Sequence, residues 1–216
     1  MGEKANCYVE ANWVRKSIGA ETILLIQRGF KDQTYGMPLV ALCANLSWEF
    51  IFSFIHPHQP PQLQINIVWL MLDLVILYEF FKFGQSELKH IPNKLFYPVF
   101  ILTLFTSFCC VLLITDEFQD WSGAYTAFGQ NLLMSILFID MLTRRNTVRD
   151  QSIFIAIFKM IGTFLASIGF YINHPTQGRS LLFIFLYTAI FVFDLIYVAM
   201  IAMRIKSLEK KSFAQR

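Results

Sequence analysis

Six long apolar runs alternate with short polar connections along the chain, at about 37–56, 64–83, 95–115, 121–142, 153–172 and 180–203. A helix needs roughly 20 mostly apolar residues to cross a bilayer, so each run predicts one membrane span. A seventh stretch is poorer. Ser17–Gln27 is apolar but short, and extending it back to about residue 8 takes in Glu10, Arg15 and Lys16. It fits either a weak first span over 8–27 or an amphipathic helix lying in the interface; the span is adopted here. The expected fold class is all-α, a polytopic membrane helix bundle of seven transmembrane helices, six strong and the first weak. No linker separates the runs, so residues 1–216 are expected to form a single integral-membrane domain.

The polar connections orient the chain. Arg28 and Lys31, then Lys82, Lys89 and Lys94, then Arg144, Arg145 and Arg149, then the tail from Arg204 to Arg216 place basic residues at every second connection. The intervening connections, HPHQPPQ, DEFQD and NHPTQGR, hold one basic residue between them. Basic loops stay on the cytoplasmic side, which puts the C-terminus there.

Ionisable residues inside the apolar runs carry the functional information, because charge within a bilayer is expensive. At about 1.5 Å of rise per residue, Glu49 lies about 18 Å from the cytoplasmic boundary, Asp73 about 15 Å and Asp194 about 14 Å. Three carboxyls on three helices therefore share one depth. Each shares a helical face with aromatic or polar neighbours: Asn45, Trp48 and Phe52 with Glu49; Asn66 and Trp69 with Asp73; Tyr187 and Tyr197 with Asp194. The faces are expected to converge on one interior cavity, with Glu49 and Asp194 as its functional pair. Asp73 serves equally well as interhelical glue. Glu79 and Lys159, nearer the cytoplasmic side, are expected to pair with each other, and Asp140 with Arg144 and Arg145. No cation is expected at the level of Glu49 or Asp194. Gly162, Ala166 and Gly169 form a small-residue stripe that reads as helix packing.

Composition agrees. The chain is 56% hydrophobic and only 15% charged, against about 25% charged in soluble domains, and its mean hydropathy is +0.50. The net charge of +3 is scattered between the runs, which excludes a nucleic-acid surface. Cys7, Cys43, Cys109 and Cys110 show no disulfide or metal spacing. The polar opening MGEKANCYVEANWVRK is not expected to be a cleaved signal peptide. His56 and His58 flank a proline in the first non-cytoplasmic connection and read as turn residues.

A carboxyl in a water-poor site holds its proton more tightly, and a second carboxyl beside it strengthens the effect. Such a group is a general acid for an apolar substrate that reaches the membrane interior. Aromatic faces would steady a cation formed there. The combination suits proton-initiated cyclisation of a prenyl chain. Two alternatives use the same residues differently. A proton-coupled transporter or channel would use the buried acids as a relay. A magnesium-dependent prenyltransferase would use DEFQD, Asp116–Asp120, although that motif stands alone and reads better as an acidic loop.

The block MPLVALCANLSWEFIFSFIHP resembles the second-span signature of the small integral-membrane terpene cyclases of fungal meroterpenoid and indole-diterpene pathways. RGFKDQTYG, VWLMLDLVILYEFFKFG and the late FDLIYVAM are similar to the same family, so the resemblance runs from Arg28 to Met203. It implies a seven-span enzyme that protonates an epoxide on a prenylated substrate and uses no metal or other cofactor. It also implies that Glu49 and Asp194 match the family's essential acids, with Asn45 and Trp48 in the same block and Asp73 on the next span. Its implied partners are an apolar prenylated small molecule and the lipid bilayer. The membrane would be the endoplasmic reticulum in a fungal host and the plasma membrane in a bacterial one. The first span is weaker than in that family.

Overall fold

The computed structural model describes residue 19 and residues 21–87, 92–145, 147–148 and 151–214. Glu10, Arg15 and Lys16 lie outside these residues, as do Cys7, Lys89 and Arg149, and with them most of the expected first span. The described residues form helices and turns only, with no strand. The helices are α1 (21–32), α2 (Leu39–Phe50), α3 (Gln62–Glu87), α4 (Asn93–Glu117), α5 (Ala124–Arg145), α6 (Ile153–Asn173) and α7 (Leu181–Ala214). A π-helical turn, Ile51–Ile55, continues α2.

Five helices are long and apolar enough to cross a membrane: Gln62–Gln85, Asn93–Glu117, Ala124–Arg145, Ile153–Asn173 and Leu181–Leu208. The run expected to span 37–56 is apolar but shorter as a helix, Leu39–Ile55. At 1.5 Å per residue it covers about 25 Å, short of a hydrocarbon core of about 30 Å. Prolines set its ends. Pro38 holds an extended backbone, ψ 139°, immediately before α2, and the chain leaves the π turn just before Pro57.

The chain forms two compact units, Ile26–Met134 and Ser135–Arg216 together with the segment up to Leu25. In the first, α2 packs between α3 and α4. Its core joins Trp48, Ile51 and Phe52 to Val111. Farther along α3, Phe80 stacks on Phe96, centroids 5.2 Å apart, and meets Tyr35 edge-on. Close by, Gly29 lies against the buried Glu79 carboxyl, where an added Cβ would stand 2.5 Å from Oε2. A residue without a side chain is what lets Glu79 be buried there.

In the second unit α6 and α7 form a hairpin. Ser152 caps α6 by accepting from the Ile155 amide at 3.2 Å. On α7 the buried positions are Phe183, Leu186, Ile190, Asp194, Tyr197 and Ile201, while Leu182, Phe185, Val192, Leu195 and Ile196 are exposed. The spacing of three and four residues marks one inward stripe. Lipid can cover the apolar remainder, so the polar groups go inside. The small-residue stripe on α6 is less uniform than expected: a Cβ on Gly169 would meet only open space. Arg144 Nε reaches Asp140 Oδ1 at 2.8 Å, as its spacing implied.

Candidate active site

Glu49 and Asp73 are brought together in the Ile26–Met134 unit. They come from α2 and α3, are 6% and 3% exposed, and lie close enough for their charges to interact directly. Asn45, one turn before Glu49, faces the Asp73 carboxyl and reaches Met37 Sδ at 3.9 Å. Among the described residues Glu49 Oε2 and Asp73 Oδ2 accept no hydrogen bond, and no ion pair forms with either acid. Ser53, one turn after Glu49, is buried with its hydroxyl also unpartnered. Asp73 thus adds a second buried carboxyl to that of Glu49. Trp69, half-buried, sits one turn before it on α3.

The π turn begins two residues after Glu49. Such turns leave backbone carbonyls off the ordinary ladder and often accompany functional sites. Here the His58 amide donates to the Phe52 carbonyl at 3.1 Å, and a side chain adds a second bond. Asn66 Nδ2 donates to the Phe52 carbonyl at 3.3 Å and to His58 Nδ1 at 3.0 Å, while Gln62 Nε2 donates to Asn66 Oδ1 at 2.8 Å. The His58 ring stacks on Phe52, centroids 4.7 Å apart and 16° from parallel, and meets Trp48 edge-on at 5.7 Å. His58 is therefore a packed member of an aromatic group rather than a simple turn residue. The sequence reading missed this because Asn66, its partner, lies on the next helix. Burial pushes its imidazole below the usual value, opposed by the backbone of Trp121 and Ser122 and the charge of Asp120.

Trp48 Nε1 donates to the Gly123 carbonyl at 3.0 Å. Gly123 has φ +64°, and a Cβ on it would run into the Phe52 ring and lie 2.8 Å from Trp48 Nε1. The turn before α5 is thereby pinned onto the residue next to Glu49. Asp120 shapes the same turn. Its Oδ1 accepts from Ser122 Oγ at 2.6 Å and its Oδ2 from the Tyr125 amide at 2.8 Å, capping α5. Asp116 faces His56 at 3.8 Å. Asp116 and Asp120 of DEFQD thus serve the turn and its neighbours.

The second cluster lies within the other unit. Asp194, fully buried, accepts from Lys159 Nζ at 2.6 Å through Oδ1 and from Thr163 Oγ1 at 2.8 Å through Oδ2. Lys159 Nζ also donates to Ser135 Oγ at 2.7 Å. This corrects two expectations: Asp194 does have a cation beside it, and the Lys159 ammonium goes to Asp194 rather than to Glu79. The long lysine stem explains the error. Lys159 starts about 9 Å along α6, but its four-carbon chain carries the charge several ångströms farther. Ser135 and Thr163 were not foreseen as partners, although Thr163 follows Lys159 by one turn on the same face. Tyr197, buried one turn after Asp194, packs on Phe138 at 5.5 Å. Tyr187 donates its hydroxyl to the Gly178 carbonyl at 3.1 Å and so ties the α6–α7 turn.

The sequence profile of the Pyr4-like transmembrane terpene cyclases matches residues 20–206. The chain belongs to that family. A Pyr4-family terpene cyclase of Annulohypoxylon moriforme is 32% identical over 88% of this chain and 81% of its own length. Terpene cyclase pyr4 of Aspergillus fumigatus is 29% identical over 68% of this chain, and asnovolin H synthase of Aspergillus novofumigatus 28% over 70%. Those two alignments cover 62% and 64% of the relatives, a little under two thirds. No solved structure matches the chain. The protein is a membrane-bound terpene cyclase, as the resemblance implied, and the transporter and prenyltransferase alternatives give way to it.

Proposed function

We propose that this cyclase starts its reaction by protonating an epoxide or alkene of a prenylated substrate of the meroterpenoid or indole-diterpene kind, without a metal ion. Glu49 is the donor, Asp73 and Asn45 are its neighbours, and Asp194 is the second catalytic acid. The observation that carries this reading is the buried Glu49–Asp73 pair, which has no ion pair among the described residues. Two uncompensated charges in such a place are costly, so the pair accommodates a proton. With an epoxide, Glu49 passes that proton to the ring oxygen. The C–O bond breaks with its electron pair on oxygen, and the carbocation left behind is attacked by the next alkene of the chain. Aromatic faces such as Trp48 and Trp69 shield cations of this kind.

The same proposal takes the chain as a single seven-span domain with a cytoplasmic C-terminus, in the endoplasmic reticulum of a fungus or the plasma membrane of a bacterium. The test is conversion of prenylated epoxides by membranes carrying the full chain. Glu49→Gln and Asp194→Asn each abolish cyclised product while membrane expression stays intact. Normal cyclisation by both variants would refute the assignment.

A further inference from the structure

Away from the acid clusters, the Ser135–Arg216 part of the chain holds a further recess. A groove of about 460 Å³ runs between α5 and α7, lined by Leu142, Thr143, Met200, Met203, Arg204 and Ser207. Small-molecule sites occupy about 300–1,000 Å³. The groove lies near the ends of both helices, since α5 stops at Arg145 and the apolar part of α7 at Leu208. About one turn deeper, Phe138 packs on Tyr197 with ring centroids 5.5 Å apart and both side chains fully buried, which closes the inner end. Leu142, Met200 and Met203 make the walls apolar. Thr143 gives its hydroxyl proton to the Ile139 and Asp140 carbonyls, 3.1 and 2.8 Å away, and so adds mainly its methyl. Arg204 is the exception. Its guanidinium brings a full charge and five donors, and it makes no ion pair among the described residues. Ser207 follows three residues later, on the same face of α7.

We propose that this groove holds one anionic phospholipid, its phosphate on Arg204 and Ser207 and the start of an acyl chain over Leu142, Met200 and Met203. The inference rests on the chain's place in a membrane and not on how its reaction starts. Charge complementarity selects the occupant. A planar guanidinium matches two oxygens of a phosphodiester at once, and the Ser207 hydroxyl can supply a further donor from the same helix face. The neighbouring charges favour a net negative lipid over a zwitterionic one. Lys206, exposed on α7, is a second cation, and Asp140 is already matched by Arg144 at 2.8 Å. The ammonium of a zwitterionic headgroup would meet only repulsion there. Apolar walls below a lone cation repeat the layout of a lipid itself, with its charge at the bilayer surface and its methylenes beneath. An arginine that only reaches up to the headgroup layer needs no groove beside it.

The test is native mass spectrometry of the detergent-purified full chain, mixed with equal amounts of dioleoyl phosphatidylglycerol and dioleoyl phosphatidylcholine. Wild type retains one phosphatidylglycerol in preference to phosphatidylcholine. Arg204→Gln weakens that binding roughly tenfold, the worth of one hydrogen bond to a charged group. Ser207→Trp fills the groove while leaving every charge in place, and it also loses the bound lipid. Arg144→Gln removes a nearby cation that does not line the groove, and the preference survives. Gel filtration shows that each variant is folded; Ser207 and Arg144 are exposed, and where Ser207→Trp is not recovered, the contrast of Arg204→Gln with Arg144→Gln decides. Wild-type retention by Arg204→Gln or Ser207→Trp overturns the proposal, and so does an equal loss in Arg144→Gln, which would reduce the effect to general attraction by a basic helix end. Displacement of the lipid by millimolar inorganic phosphate would make the occupant a free anion, and absence of any preference in wild type would leave the groove without this ligand; either result overturns it as well.

Discussion

Gly123→Ala is a single methyl placed where the turn before α5 meets the helix that carries Glu49. Three costs follow from the geometry. Gly123 has φ +64°, and an alanine held in that left-handed region costs about 1–2 kcal/mol. The new Cβ would collide with the Phe52 ring and press on Trp48 Nε1 at 2.8 Å; forcing a methyl into a packed core costs about 1–3 kcal/mol. If the turn retreats instead, the 3.0 Å bond from Trp48 Nε1 to the Gly123 carbonyl is lost, worth about 1 kcal/mol. With the turn held in place the loss is about 2–5 kcal/mol, a fall in thermal midpoint on the order of 10 °C for a chain of this size. The assay is thermal unfolding of the detergent-purified protein, followed by fluorescence-detected gel filtration, with product formation measured in parallel. Phe52→Leu removes the ring atoms that the new methyl meets. The double variant is therefore less destabilised than the sum of the singles, whereas strain at φ alone would leave the two effects additive. A Gly123→Ala protein that melts within about 0.5 kcal/mol of wild type, the range of an ordinary surface change, would refute the reasoning.

The half-buried His58 predicts an acid-sensitive step in stability. Its folded value lies below the ordinary 6.5, so the unfolded chain binds this proton more readily, and stability is present above about pH 6.5 and is lost as the pH falls toward the folded value. Melting curves from pH 7.5 to 5 should show wild type losing more than His58→Phe, which keeps a ring on Phe52 but cannot titrate; equal losses would exclude His58 as the source. The acidic turn separates along structural lines. Asp120→Ala, which uncaps α5, costs about 1 kcal/mol in the same melting assay, while Asp116→Asn leaves product yield unchanged with or without a chelator. Magnesium-dependent yield that disappears in Asp116→Asn would restore the prenyltransferase reading.

Much of this protein was written into local sequence. The rise of a helix is set by its backbone, so counting residues along an apolar run locates a carboxyl in depth without knowing its neighbours. That is how Glu49, Asp73 and Asp194 stood out as three acids at one level, and why the five longest spans could be read from hydropathy alone. Helical spacing also foretold the Asp140–Arg144 contact, since both partners lie on one helix. Partner choice between helices was not written there. It depends on how each helix is turned about its axis and on how far a side chain reaches, and neither is a property of one segment. Only the tertiary structure joined Glu49 to Asp73, took Lys159 to Asp194, and seated His58 between Phe52 and Asn66. The shortness of Leu39–Ile55 was likewise hidden, because hydropathy does not register a helix that widens into a π turn before the run ends.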